Sequence, residues 1–313
     1  MTISSIEKRK TQSKTRETVI LVCIFVIIAS TFFASNEIRL AIISGIRLSA
    51  FNVIPAIFPF LIISDYISSV EFGSGDGVLS RIFSRLFGVN PVALRAFICG
   101  TVCGFPIGIK MASALYGDKN LSKNELERLI GFSSNPSLAF VISGIGVGIY
   151  NSIKCGLILY ISILLASVFI GILFKIKSEK KQNTRNNSRQ IFNIAKSIKD
   201  AGLSSIFIMS YIIFFSALIG LLSKFVKNDT ALALASSLLE ITSASKMLSG
   251  LSGISVHLRL SLTAFALSFS GLCFALQARN LLPSEISMKK YYKMKIVSAV
   301  TSFFICYLLV MII

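Results

Sequence analysis

The sequence predicts an all-α fold: a polytopic membrane protein, built as a helical bundle with two re-entrant hairpins and discontinuous helices in an inverted repeat. Three observations predict it. Of the 313 residues, 54% are hydrophobic, and the mean hydropathy is +0.77, too apolar for a domain dissolved in water. The runs 19–35, 152–174, 206–222 and 296–313 approach the roughly 17–25 apolar residues that a bilayer span requires, and they are continuously apolar where barrel strands would alternate. Finally, two further apolar segments, 97–116 and 260–277, are interrupted by Gly, Pro and Ser.

The first 50 residues hold a basic segment, the first span and, at 37–50, a stretch whose Arg39 and Arg47 among apolar residues suit an interfacial helix. Residues 51–66 carry Pro55 and Pro59 and should kink. The Gly/Ser/Asp stretch 70–77 is a loop, and 79–87 reads as an amphipathic surface helix. Segment 97–116 contains Gly100, Gly104, Pro106, Gly108 and Lys110; helix breakers at membrane depth are tolerated where backbone is buried or lines a cavity, so a re-entrant hairpin is expected. Ser122 and Glu125 form a capping-box pattern. The helix they start meets Ser133, Ser134, Asn135, Pro136 and Ser137, where it should unwind before resuming over 138–149.

A basic cytoplasmic loop, 176–202, separates a first repeat (51–175) from a second (203–313). In the second, 231–239 is a short helix ending at Glu240, Thr242, Ser243 and Ser245, and 260–277 is broken at Ser268, Ser270 and Gly271. Gly104 to Lys110 and Gly271 to Gln277 share a pattern of glycine, apolar residues and a long polar tip, and are taken as corresponding hairpins. Paired broken segments of this kind point to a carrier's binding site.

The formal charge of +18 does not mark a nucleic-acid binder, because the basic residues fall in short inter-helix segments. Lys8 to Arg16 before the first span and the basic residues of 176–202 place the N-terminus and central loop in the cytoplasm. The lysines at 289, 290, 293 and 295 are read as a loop, which the positive-inside rule puts in the cytoplasm and the inverted repeat puts opposite the first hairpin's loop; the repeat is favoured. The six cysteines sit in apolar surroundings without metal-ligand spacing, and the single His257 has no second imidazole to join. No metal site, catalytic residue or cofactor is expected.

Pro55 with Phe58-Pro59-Phe60, Gly104-Phe105-Pro106 with Gly108 and Lys110, Glu125 with Glu127-Arg128-Leu129 and Phe132, Asn135, Glu240-Ile241-Thr242, and Gly271-Leu272 with Leu276-Gln277 together carry a resemblance. Over about residues 52–307 the chain resembles the YlbJ-type sporulation integral membrane protein family, which carries the nucleoside-recognition Gate domain. The resemblance implies a core like that of concentrative nucleoside transporters and a role in moving dipicolinate in sporulation. Where relatives carry an Asn-Asn-Ser-Gly-Pro-like stretch, this chain has Ser134-Asn135-Pro136-Ser137-Leu138, and Phe274-Ala275 stand where a polar residue is usual.

Lys110 is expected to bind an anionic group of the solute, assisted by the positive ends of half-helices, with snorkelling to the interface as the structural alternative. Glu240 is read as a solute, proton or cation site, or as a helix-end carboxylate, leaving H+ or Na+ as coupling ions. Ser134, Asn135, Ser137, Thr242, Ser270 and Gln277 complete the expected substrate-binding set, and Gly104, Pro106, Gly108 and Gly271 would shape the hairpins. The expected function is a multi-pass carrier for a small, dipicolinate-like anion. A nucleoside transporter and a non-transporting sporulation scaffold are the alternatives, with the bilayer and a small solute as partners and homo-oligomerisation open.

Overall fold

The computed structural model describes residues 34–69, 77–176 and 192–312. All but the end of the expected first span, the basic residues 8–16, Cys23 and most of the central basic loop lie outside them. Every regular element among the described residues is helical. Among the described residues five stretches are long and apolar enough to cross a bilayer: Ser35–Ile63, Ile153–Leu173, Ile194–Phe225, Val256–Leu281 and Lys289–Ile312.

The first of these runs from α1 (Ser35–Leu48) through a π-turn (Ser49–Val53) into α2 (Ile54–Ser69). The π-turn ends two residues before Pro55, whose missing N–H takes a rung out of the α ladder. Residues 37–50 are therefore half of a crossing-length helix and not a separate interfacial one. Arg39 and Arg47 are on its exposed surface, so they mark no break in the helix. A short amphipathic α3 (Val78–Phe87) follows, ending at left-handed Gly88. Its Phe83 and Phe87 pack inward onto Phe97 and Phe132, with Phe87 stacked 5.1 Å from Phe132.

α4 (Ala93–Val102) and α5 (Phe105–Gly117) then fold back on each other as a tight pair. Small residues permit it: a Cβ on Gly108 would stand 2.5 Å from the Gly100 Cα. The Ser122–Glu125 capping box forms as expected and starts α6 (Lys123–Ser133), which unwinds over 134–137 before a π-helix, Phe140–Val147. α7 (Ile153–Leu173) packs along that π-helix through the facing glycines 146 and 156.

α8 (Ile194–Phe225) begins inside the stretch assigned to the basic loop, because Asn193 caps it through the Lys196 amide. It lies along α1, where Ser216 fills the space over Gly45 and Lys224 reaches Glu37 at 3.4 Å. α9 (Asp229–Leu239) and α10 (Ile241–Ser249) form a second closed pair, joined through Glu240 alone. α11 (Val256–Phe269) and α12 (Gly271–Leu281) are broken at Ser270. Here the sequence reading is corrected: 260–277 is no closed hairpin, since α11 packs on α13 (Lys289–Ile312) and α7, while α12 packs on α5 and α9. The closed pair of the second half is 229–249.

Apart from α3, each half thus has the same order: a crossing-length helix, a closed helix pair, a fractured helix and a further crossing-length helix. The corresponding pairs are α4–α5 with α9–α10, and the matching of Gly104–Lys110 to Gly271–Gln277 joins unlike elements. Lysines 289–295 belong to α13 and not to a loop, because the helix starts seven residues before the apolar run. The short connection 283–288 sits beside the 117–123 turn: Glu127 accepts from the Ser287 amide at 3.1 Å and pairs with Lys290 at 3.0 Å. Both therefore lie at one end of the bundle, where Lys293 also covers the Phe174 ring at the end of α7. The connection and the turn after the first closed pair thus share an end, where the favoured repeat had set them opposite.

α13 shows how lipid replaces water as solvent. Its large residues Ile296, Val300, Phe304 and Leu308 are exposed, while Ser298, Ala299, Ser302 and Cys306 face the bundle. Small inward residues let helices approach closely, as association in lipid requires.

Candidate functional site

The four backbone breaks meet in two couples. Gly104, at φ +101° between α4 and α5, faces the unwound stretch: a Cβ there would stand 3.1 Å from the Ser137 Cβ. Gly271, at φ +65°, faces the α9–α10 turn, where its Cβ would meet the Leu239 carbonyl oxygen at 2.9 Å. Only glycine takes such a conformation without cost and also lets backbone approach this closely. The couples touch through Phe105, next to Gly104, and Phe274, in the first turn of α12, whose ring centroids are 3.7 Å apart.

Within the first couple the freed backbone is held by side chains. The Asn135 amide donates to the Phe132 carbonyl and to Ser167 Oγ, both at 3.0 Å, and Ser167 itself donates to the same carbonyl. Ser137 Oγ accepts from the Phe140 amide at 3.1 Å and so starts the second half of the helix. In the second couple Glu240 is fully buried; its two carboxylate oxygens accept from the Thr242 amide at 2.6 Å and the Ser243 amide at 2.7 Å. It caps α10 at the helix's positive end. Ser270 is left-handed at φ +72°, with its hydroxyl turned back to the Leu267 carbonyl at 3.3 Å. Gln277 donates to Cys273 Sγ at 3.4 Å.

Of the expected set, Ser134, Asn135, Ser137, Glu240, Thr242, Ser270 and Gln277 are buried. Gly104, Gly108 and Gly271 are buried at the contacts described, and Pro106 opens α5. Lys110 stands apart: it is exposed on α5, and no ion pair joins it to Glu240. The buried cation at the breaks is instead Lys295 of α13, 1% exposed, whose Nζ donates to the Ser134 carbonyl. A polar stripe on one face of an apolar helix, Lys295, Ser298 and Ser302, is the signal that marks it in the sequence.

Four buried serine hydroxyls have no hydrogen-bond partner among the described residues: Ser133, Ser134, Ser236 and Ser268. All lie within four positions of a break. By contrast the Glu125-Glu127-Arg128 motif has structural employment. Glu125 accepts from the Asn90 amide at 2.9 Å, and Arg128 donates to the Phe87 and Gly88 carbonyls, fastening the C-terminus of α3 to α6.

Helices long and apolar enough to cross a bilayer define the class: a helical integral membrane protein. No protein-family model matches the chain, and no solved structure does. Over 292 residues it is 24% identical to the sporulation integral membrane protein YlbJ of Bacillus subtilis strain 168, covering 79% of this chain and 71% of that protein. This distant similarity supports the resemblance to the YlbJ-type sporulation integral membrane protein family.

Proposed function

We propose that the chain is a carrier that moves a small polar or anionic solute, dipicolinate-like, across a membrane during sporulation by alternating access. The observation that carries the reading is the pairwise meeting of four backbone breaks around buried, unpartnered hydroxyls. Orphaned polar groups are costly in a membrane interior and are retained where a ligand or water completes them.

In this reading α4–α5 and α9–α10 are re-entrant hairpins. Each half then holds three crossings, an odd number, so the halves are inverted copies of a core like that of concentrative nucleoside transporters. Seven of the expected residues, from Ser134 to Gln277, are buried and would make up the solute site in this reading, and Glu240 is the group through which H+ or Na+ would couple. The sporulation role rests on the name of the Bacillus relative.

Uptake of labelled dipicolinate and uridine into proteoliposomes containing the purified chain tests this. Dipicolinate should accumulate above protein-free vesicles. Uridine moving in its place shifts the reading to nucleoside recognition, and a folded protein that moves neither leaves the scaffold reading.

A further inference from the structure

Resting on the carrier reading, we infer that Lys295 is the cation that receives the solute's anionic group, at the gap in the fractured helix α6. Lys295 lies about 9 Å along α13 from Lys289 and is buried, and among the described residues no carboxylate is within ion-pair distance of it. An ammonium has three donors. The Lys295 ammonium meets the Ser134 carbonyl, which is freed by the unwinding, and the face of Tyr291 at 5.9 Å.

Beside that carbonyl are the buried hydroxyls of Ser133 and Ser134, which have no partner. One short stretch thus collects a charge without a counter-ion and two donors without acceptors. Buried charge left in this state is expensive and is kept where something charged completes it. A carboxylate supplies both the missing charge and the missing acceptors. A neutral solute supplies only acceptors, and a metal cation is repelled.

Two comparisons within the molecule sharpen the assignment. Lys290, one and a half turns earlier, is neutralised by Glu127 at 3.0 Å, so a lysine on this helix takes a carboxylate partner where one is offered. Glu240, the buried charge of the other couple, has both oxygens occupied by amides, so it offers no equivalent vacancy to an anion. Binding would draw the ammonium from the Ser134 carbonyl, tying occupancy of the site to the geometry of the gap.

The test is thermal unfolding of the detergent-purified full chain titrated with dipicolinate, succinate or uridine, for the wild type and for Lys295→Met, Lys295→Arg, Ser133→Ala and Lys110→Ala. The dicarboxylates should raise the melting temperature of the wild type, and uridine should not. Apparent affinity should fall about 30-fold or more in Lys295→Met, less in Lys295→Arg, and about tenfold in Ser133→Ala, with Lys110→Ala unchanged.

Should Lys295→Met fail to fold, Lys295→Arg and Ser133→Ala decide, because Ser133→Ala removes a hydroxyl with no protein partner. Wild-type affinity in the Lys295 and Ser133 variants overturns the assignment, as does a wild type that responds to no anion, or to uridine equally. Parallel uptake separates the two ideas: anion binding without transport sinks the carrier reading alone, and transport with Lys295→Met at full affinity sinks the assignment alone.

Discussion

The two couples of broken helices solve the same problem with opposite charges. At α9–α10 and Gly271 the free amides of a helix start are met by the Glu240 carboxylate, and both oxygens of that group are used. At α4–α5 and the 134–137 gap the freed carbonyls are met by Asn135, Ser167 and the Lys295 ammonium, and donors remain over. A carboxylate with two amides has a protein partner for each oxygen. An ammonium with one carbonyl does not have one for each donor. The difference lies in the charges: the carboxylate is satisfied by the protein and the ammonium is not, while hydroxyls are left over on both sides, Ser133 and Ser134 at the one couple and Ser236 and Ser268 at the other.

The largest effect that would test this contrast is on Glu240. Glu240→Ala leaves two buried amides unpaired and should destabilise the chain by about 3 kcal/mol in denaturant titrations, with Glu240→Gln intermediate because its single carbonyl serves one amide. Gly271→Ala should cost about 2 kcal/mol, from left-handed strain and from crowding the Leu239 carbonyl. Ser167→Ala, which strips one fastener from the Phe132 carbonyl, should cost about 1–2 kcal/mol. Lys295→Met should stay within about 1 kcal/mol of the wild type, because an incompletely partnered buried charge contributes little to stability; a loss as large as that of Glu240→Ala would break the contrast. Smallest of all, Lys110→Ala should change stability by under about 0.5 kcal/mol.

The positions of the breaks were legible because glycine, proline and clustered serines stand out in apolar runs. That is why the gap at 134–137, the turn at Gly104 and the break at Ser270 fall where the residues suggest. How the broken pieces close was not legible. Whether two arms fold on one another is decided by which neighbours they reach: the end of the 231–239 helix at Glu240 was legible, the return of 241–249 against it was not. Arg39 and Arg47 misled for a related reason: on a lipid-facing helix a charge can ride the surface of a span without ending it. Lys295 was hidden by its companions, since the dense lysines of 289–295 read as a solvated loop while the helical period turns one of them inward. Reading that segment at 100° per residue, with Ser298 and Ser302 on the same side, separates it from the others.

The outward bulk and inward smallness of α13 set opposite rules for substitution on its two sides. Along 296, 300, 304 and 308 any oily side chain of almost any volume should serve, whereas 298, 299, 302 and 306 have room for only a few atoms and can afford a hydroxyl or a thiol. A mutational scan of this helix should therefore sort by polarity on one side and by size on the other, the reverse of what a water-soluble bundle would give.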